Sequence, residues 1–151
     1  MNIAPASPDH PDIVALLKLH LAAMHDHTPP EFAFALNGNE LSAPEITFLA
    51  AWDGDALMGI GALKQFSATE GEVKSMRTHP DHLRRGVAAA LLRRILSEAR
   101  ALGLERLYLE TGTSHHYDAA IALYHHHGFT PCPPFADYKP SPHNQFMVLE
   151  L

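Results

Sequence analysis

The chain has 151 residues, 46% of them hydrophobic and 19% charged, and this composition predicts one domain over residues 1–151 with an apolar core. Its formal charge of −6 argues against nucleic acid or an anionic membrane as the main partner. Because there is no apolar run of ~20 residues and no secretory signal, we expect a soluble, cytoplasmic protein. Cys132 is the only cysteine, which excludes an intrachain disulfide and favours an ordinary small apolar residue.

Helical signals open the chain. Apolar residues at helical spacing predict an amphipathic helix over residues 8–25, with Asp9 or Asp12 as its N-cap. These residues are Ile13, Leu16, Leu17, Leu21 and Met24. The next segment has two prolines, a short helix predicted over residues 31–36 and turn formers at 37–39, and we expect it to form an irregular wall beside a pocket.

Strand signals follow. Apolar runs over residues 46–52 and 56–66 flank Asp53-Gly54-Asp55, which predicts a β-hairpin. A third strand is predicted over residues 72–78, after a turn at 69–71. Together these segments predict an antiparallel meander.

A helix then separates two strands. Apolar positions that recur every four residues predict a helix over residues 83–102, and Gly103 is a natural stop. The short apolar run over 104–110 predicts a strand parallel to the strand over 72–78, because a crossover helix joins the two.

The C-terminal part predicts one more helix and two strands. The helix covers residues 118–127 and ends at Gly128, which places Phe129 for a hydrophobic contact beyond the cap. Strands are predicted over 130–135 and 145–151. The order of elements predicts an α/β fold with a mixed sheet, in which antiparallel strands precede a parallel pair and helices cover both faces.

Residues 83–88 are the most informative motif. Their sequence is Leu-Arg-Arg-Gly-Val-Ala, between a predicted strand and a long helix. Amides at a helix start, the positive end of the helix dipole and adjacent guanidinium groups all favour an anion. Gly86 and Ala88 are small enough to let a ligand approach the backbone. This arrangement indicates a site for a diphosphate ligand.

Two further segments complete a family pattern. The strand over 72–78 reads EVKSMRT, and residues 120–129 read AIALYHHHGF. With the motif at 83–88 and the order of elements, they resemble the GNAT superfamily of acetyl-CoA-dependent N-acetyltransferases, most strongly over residues 46–138. The resemblance implies that the parallel pair is splayed. It also implies acetyl-CoA as the donor and an amine of a small molecule or a protein as the acceptor.

The resemblance also implies cofactor-binding residues. The phosphate loop is expected to use Arg84, Arg85, Gly86, Val87 and Ala88, although Leu83 stands where the family has Arg or Gln. The strand is expected to pair its main chain at Met76, Arg77 and Thr78 with the pantetheine arm. Thr111 is a further candidate for contact with that arm, with a simple turn as the alternative. Tyr117 stands where many members have Asn.

Two residues are implied to carry the chemistry. Tyr124 matches the tyrosine that protonates the departing thiolate, and the alternative is a half-buried tyrosine that holds its helix to the sheet. Glu72 matches, without gaps, the glutamate base of the histone-acetylating members. The alternative for Glu72 is an ion pair with Lys74 across a strand face.

The acceptor side and the histidines are less specific. Lys74 and Arg77 are candidates to bind a substrate carboxylate or are surface charges, while Asp137 is a candidate to pair with an amine and Tyr138 to close the pocket. The twelve histidines do not predict a metal site, because adjacent residues on a helix point about 100° apart. One of them, such as His25 or His27, is a candidate to bind substrate or relay protons.

The sequence therefore predicts an acetyltransferase in which an amine attacks the thioester directly, with Glu72 or water as base and Tyr124 as acid. A sensor module that binds acyl-CoA without catalysis is the main alternative. A nucleotide-binding domain is a third, although the complete Gly-x-x-x-x-Gly-Lys-[Ser/Thr] pattern is absent. Similar proteins commonly form homodimers, but no interface is predicted, and the length of the acyl group stays open.

Overall fold

The computed structural model of the protein describes residues 1–32 and 37–151. In chain order, the elements are β1 (Asn2–Pro5), α1 (Pro11–His27), α2 (Gly38–Leu41), β2 (Ile46–Asp53), β3 (Ala56–Gln65), β4 (Glu70–Thr78), α3 (Val87–Ala101), β5 (Arg106–Gly112), α4 (Asp118–His126), β6 (Thr130–Cys132) and β7 (Asn144–Glu150). Single turns of 3-10 helix occupy Pro30–Phe32, Pro80–His82 and His115–Tyr117. Among these elements, no helix has both the length and the apolar character needed to cross a bilayer.

The described strands form one sheet in the order β1-β2-β3-β4-β5-β7-β6. Neighbouring strands are antiparallel, except that β4 and β5 run parallel. Helix α3 joins β4 to β5, as a parallel connection requires. The predicted mixed α/β fold is therefore confirmed.

Helices pack on both faces of the sheet. Alternate side chains of a strand point to opposite faces. In β2, Leu49 belongs to an apolar cluster with residues of α3 and α4, whereas Phe48 belongs to a second cluster with residues of α1 and α2. The sheet thus separates α3 and α4 from α1 and α2.

The long helix begins four residues later than predicted. Arg84 and Gly86 have φ angles of 62° and 77°, and this left-handed conformation cannot continue a right-handed helix. Leu83 continues the apolar spacing of α3 in the sequence, yet its side chain is 56% exposed. The segment before α3 is therefore an open turn, and Gly103 ends the helix as predicted.

The first helices also differ from the prediction. The N-cap of α1 is His10, not Asp9 or Asp12, because its side chain accepts a hydrogen bond from the amide of Asp12. Asn37, which was expected to form a turn, caps the single-turn helix α2 in a capping box with Glu40. Of the helix predicted over 31–36, only the turn Pro30–Phe32 is described, and residues 33–36 lie outside the described part.

Three strands differ from the prediction by two or more residues, and one was missed. β4 begins at Glu70, two residues earlier than predicted. β1 is an edge strand of four residues that ends in Pro5, too short for an alternating apolar pattern. β5 lies two residues later than predicted. β6 ends at Cys132 because Pro133 and Pro134 cannot donate ladder hydrogen bonds.

The parallel strands β4 and β5 separate halfway along their length. Their pairing runs from Glu70 with Arg106 to Val73 with Leu109, after which β4 continues beside β3 and β5 beside β7. A bulge in β4 at Ser75, with φ of 56°, shifts the register against β3, and bulges bend the strand that carries them. The predicted splayed pair is thus present and opens a wedge in the middle of the sheet.

Candidate active site

The wedge between β4 and β5 holds a cavity of about 100 Å³, which we call the wedge cavity. Its walls come from α1, β4, β5, the turn before α4 and α4 itself, so it lies between helices from both faces of the sheet. The lining residues are His20, Met24, Glu72, Val73, Lys74, Ser75, Met76, Glu110, Thr111, Tyr117, Ala120 and Tyr124. The fold thereby brings together predicted residues that are up to 52 positions apart in the sequence, from Glu72 to Tyr124.

Tyr124 stands on the α4 side of the wedge cavity. Its side chain is buried, and its ring packs edge-on against Phe129 with centroids 5.8 Å apart. Burial, and then the negative charge of Glu110, raise the pKa of Tyr124 to about 12. The phenol therefore stays protonated throughout the physiological range, which is the form that a general acid needs.

Glu72 and Lys74 form a buried ion pair on β4. The Nζ atom of Lys74 lies 3.2 Å from Oε2 of Glu72, and their side chains are 8% and 6% exposed. The hydroxyl of Tyr138 donates to the same Oε2 atom at 2.6 Å and accepts from Lys74 at 2.9 Å. The ion pair that was the alternative reading of Glu72 is therefore present, and the carboxylate also faces the wedge cavity.

Glu110 is a carboxyl group that the sequence analysis missed. It is the first residue of β5 beyond the paired part, and it lines the wedge cavity. The side-chain amide of Asn144 on β7 donates a hydrogen bond to Oε2 of Glu110. Burial raises the pKa of Glu110 to about 7, although Asn144 and Lys74 act in the opposite direction. This carboxyl group can therefore accept or release a proton near neutral pH.

Two further polar groups are buried at the wedge cavity. The Nδ1 atom of His20 and the hydroxyl of Ser75 have no hydrogen-bond partner among the described residues. Burial, with a smaller effect of Arg77, lowers the pKa of His20 to about 4, so its ring is neutral at physiological pH. Ser75 belongs to the strand motif over 72–78 but was not singled out there, and His20 belongs to no motif because it reaches the cavity only through the packing of α1 on the sheet.

The predicted main-chain binders lie at the bulge of β4. Arg77 and Thr78 pair with Ile60 and Gly59 of β3, whereas the register passes over Ser75 and Met76. The side chain of Met76 packs against the cluster on the α3 side. The bulge thus places the main chain of Ser75 and Met76 at the wedge.

The phosphate loop is an open turn in front of α3. Gly86 is the N-cap residue, and no side chain caps the first amides of the helix. Arg84 and Arg85 are exposed, and Nη1 of Arg85 lies 3.4 Å from Nδ1 of His82. Val87 is buried in the core, so only its main chain is available to a ligand. Uncapped amides beside two guanidinium groups are suited to a diphosphate.

The substitution Gly86→Ala tests this loop. A Cβ atom at Gly86 would meet nothing within 4 Å, so the cost is conformational, about 1 kcal/mol of unfolding free energy for the left-handed backbone. Relief of that strain would reorient the loop amides. We expect the affinity for CoA, measured by titration calorimetry, to fall about tenfold, which corresponds to ~1.4 kcal/mol.

Gly103 at the other end of α3 provides a matched control. It has a φ of 75° and equally open surroundings. Gly103→Ala should therefore lower the unfolding free energy by the same amount as Gly86→Ala, while the affinity for CoA stays unchanged. Equal affinities of the two variants for CoA would exclude the loop as the diphosphate site.

Tyr117 bridges the two sides of the wedge. Its hydroxyl bonds to the hydroxyl of Thr28 beyond α1 at 2.8 Å and donates to the sulfur of Met24 at 3.5 Å. Its ring lies directly over Gly112 at the end of β5, and Thr111 is buried beside it. Thr111 thus lines the cavity, as expected of a residue that contacts the cofactor arm. Tyr117, which stands where many family members have asparagine, fills that position with its ring.

We expect Gly112→Ala to destabilise the protein, because the new methyl group would overlap the ring of Tyr117. Overpacking of this kind costs about 1–3 kcal/mol, measured as a lower unfolding midpoint in urea. The double variant Gly112→Ala, Tyr117→Ala should recover part of that loss, since the clash is removed. A double variant whose loss equals the sum of the single losses would contradict the packing described here.

A second cavity, of about 370 Å³, adjoins the wedge cavity, and we call it the outer groove. Glu72 and Lys74 line both cavities and form the boundary between them. The other lining residues are Glu31, Lys64, Ala136, Asp137, Tyr138 and Lys139. The predicted acceptor residues Asp137 and Tyr138 therefore lie on the far side of the ion pair from Tyr124.

Three of the histidines stack between the end of α1 and the turn before α4. The rings of His27 and His116 stack with centroids 3.6 Å apart, and His115 lies 4.0 Å from His116. Within residues 1–32 and 37–151, no group of three or more His, Cys, Asp or Glu side chains is arranged to hold a metal ion.

Known sequences over most of this chain's length are similar to it. The sequence model of the acetyltransferase (GNAT) family matches residues 13–129. The uncharacterised N-acetyltransferase YedL of Escherichia coli is 48% identical over 94% of this chain and 89% of its own length. The IAA acetyltransferase of Azospirillum brasilense is 37% identical over 100% of this chain and 98% of its own length.

Solved structures share the fold. A candidate acyl-CoA N-acyltransferase from Klebsiella pneumoniae superposes with a TM-score of 0.80 at 27% identity, covering 99% of this chain and 97% of that one. A GNAT acetyltransferase from Elizabethkingia anophelis with acetyl-CoA bound superposes with a TM-score of 0.71 at 16% identity, with coverage of 99% and 97%.

Proposed function

The chain belongs to the GNAT acetyltransferase family, and on this premise we propose that it transfers the acetyl group of acetyl-CoA to a primary amine, with the wedge between β4 and β5 as the site of transfer. The observation that carries the proposal is the wedge cavity itself. It places a protonated tyrosine, two carboxyl groups and an open strand edge around one space.

Acetyl-CoA binds along the open edge of β4 in this proposal. The amides around Gly86, with Arg84 and Arg85, hold the diphosphate, and the pantetheine arm pairs with the main chain from Met76 to Thr78. Thr111 borders the arm from β5. An amide at Met76 would then stabilise the negative charge that develops on the thioester oxygen. No side chain forms a covalent intermediate.

The transfer is a direct attack. The neutral amine nitrogen forms a bond to the thioester carbon, the C–S bond breaks, and the leaving thiolate takes a proton from the hydroxyl of Tyr124. The nitrogen releases one further proton as the amide forms, and solvent returns a proton to the phenolate of Tyr124. The thiolate, whose conjugate thiol has a pKa of about 8.5, is a weaker base than a phenolate in water. Proton transfer from Tyr124 therefore depends on the negative charge that develops at the sulfur in the transition state. Tyr124 must therefore hold its proton close to that atom.

The acceptor must lose a proton before it attacks, because an ammonium group has no free electron pair. Glu72 is the base implied by the family resemblance, and it borders both cavities. Its Oε2 atom, however, already accepts from Lys74 and Tyr138. Glu110 faces the same cavity with a pKa of about 7. We therefore assign the role of base to Glu110, while the charge of Glu72 attracts the ammonium form of the acceptor.

The acceptor approaches through the outer groove. Asp137 and Tyr138 line it, and Lys74 stands at its inner end. The groove is open enough for a small molecule or for an amine on a protein. The single domain over residues 1–151 and the homodimer stay predictions.

Two measurements separate catalysis from sensing. We expect the protein to bind CoA in titration calorimetry with no comparable affinity for ATP, and to release free thiol from acetyl-CoA when a panel of amines is supplied. Binding of CoA without thiol release across small-molecule and peptide amines would favour the non-catalytic sensor. Binding of ATP but not CoA would favour a nucleotide-binding domain.

A further inference from the structure

Lys74 is a buried cation at the boundary of the two cavities. Its side chain is 8% exposed, and it lines both the wedge cavity and the outer groove. A charged group in such surroundings needs partners to offset its lost hydration. Glu72 and the hydroxyl of Tyr138 are two of them, and the ring of Tyr138 lies 5.6 Å from the nitrogen.

One hydrogen-bond donor of Lys74 is unused. An ammonium group has three N–H donors. Its two hydrogen bonds go to Glu72 and Tyr138, and no third acceptor is found among the described residues. Because unpaired buried donors are costly, a position that keeps one at the edge of two cavities is suited to a ligand that brings its own acceptor.

We propose that Lys74 binds the carboxylate of the acceptor and that the acceptor is a free α-amino acid. This inference rests on the proposed function and specifies its substrate class. The amine and the carboxylate of an α-amino acid are both bonded to the α-carbon. A carboxylate held by Lys74 therefore keeps the amine at the mouth of the wedge cavity, beside Glu72 and Glu110.

The charges of the outer groove fit such a molecule. Beyond the Glu72–Lys74 pair, the described lining contributes two acidic and two basic side chains, which balance each other. They are Glu31, Asp137, Lys64 and Lys139. A balanced groove has little attraction for a polycationic amine, whereas a zwitterion finds a partner for each of its charges. The groove also leaves room for a polar side chain of the amino acid.

The first test compares matched acceptors on the unmodified protein. The twenty L-amino acids are assayed individually with acetyl-CoA by thiol release, and each accepted one is compared with its carboxamide and its decarboxylated amine. We expect kcat/KM for the acid to exceed that for the amide at least tenfold. The amide has the less basic amine, so without recognition of the carboxylate the preference would run the other way.

The second test removes the cation. Lys74→Met should bring the acid-to-amide ratio of kcat/KM to one or below, and Lys74→Arg should keep most of the preference. Because Lys74→Met leaves Glu72 buried without its ammonium, the double variant Lys74→Met, Glu72→Gln is measured as well, and the ratio within each variant cancels any loss of basal rate. Lys18→Met on the exposed face of α1 is the control and should leave the ratio unchanged.

The outcomes separate this inference from the proposed function. Acetylation of decarboxylated amines or amides as fast as the acids would overturn the inference and leave the acetyltransferase assignment intact. So would an unchanged ratio in both Lys74→Met variants, or acetylation of peptide amines while all twenty amino acids fail. If no acceptor of any class causes thiol release, both the inference and the proposed function are overturned.

Discussion

Tyr124→Phe should lower kcat for acetyl transfer by about two orders of magnitude, the range in which a general acid contributes. The variant keeps the buried ring and its contact with Phe129, so the unfolding free energy and the affinity for CoA should change little. Because the pKa of Tyr124 is raised to about 12, the unmodified protein should show no loss of rate from tyrosine ionisation below pH 10. Steady-state kinetics as a function of pH measure both effects.

Tyr108→Phe is the matched control. Tyr108 also donates a hydrogen bond, to Glu70 at 2.9 Å, but it lies outside the wedge cavity. Its removal should change kcat less than about twofold, since it takes no part in the proton transfer. If Tyr124→Phe has as small an effect as Tyr108→Phe, Tyr124 is a structural residue, and the acid must be water or another group.

Glu110→Gln should have the second large effect. With a base whose pKa is about 7, kcat/KM rises as pH increases through 7 and then levels off, because only the ionised carboxyl group accepts the proton. The glutamine variant should lose this rise and lower the plateau by about 100-fold. The measurement is the pH profile of kcat/KM for the acceptor between pH 5.5 and 9, chosen as about 1.5–2 units on either side of the pKa.

Glu72→Gln separates the two carboxyl groups. It should lower activity and also reduce the unfolding free energy by about 2 kcal/mol, because the buried ammonium of Lys74 loses its charged partner. The rise of kcat/KM near pH 7 should remain. If the rise disappears in Glu72→Gln and persists in Glu110→Gln, Glu72 is the base, as the family resemblance implies.

Glu110→Gln has a second expected consequence, for stability. A folded pKa raised from 4.5 to about 7 means that the unfolded chain releases this proton more readily, so the carboxyl group lowers stability as pH rises from 4.5 to 7. The unfolding free energy of the variant, compared with that of the unmodified protein at the same pH, should therefore be higher at pH 8 than at pH 5. Urea unfolding at the two pH values measures this change separately from catalysis.

The sequence was sufficient to predict the sheet and the main motifs because they are local signals. The Gly-containing loop, the motif that ends in Gly128 and Phe129, and the crossover helix each depend on residues close together in the chain. Together they predicted that β4 and β5 diverge, but not at which residues. The predicted start of α3 was wrong because Leu83 continues the apolar spacing of the helix. The left-handed backbone at Arg84 and Gly86 belongs to the turn before it.

The burial and the partners of the site's polar groups could not be predicted, because long-range packing creates them. Glu110 acquires its raised pKa from burial and meets Asn144 only through the pairing of β5 with β7. The buried pair of Glu72 and Lys74 depends on Tyr138, more than sixty residues away. Spacing on one strand indicates that Glu72 and Lys74 share a face, but not that the face is buried.

A crystal structure with acetyl-CoA tests the central claim most directly. We predict the diphosphate within hydrogen-bond distance of the amides from Arg84 to Ala88, and the thioester between β4 and β5 with its sulfur beside the hydroxyl of Tyr124. The two strands should remain unpaired beyond Val73 and Leu109. A cofactor bound outside the wedge, or strands that pair along their full length around a closed wedge, would contradict the account.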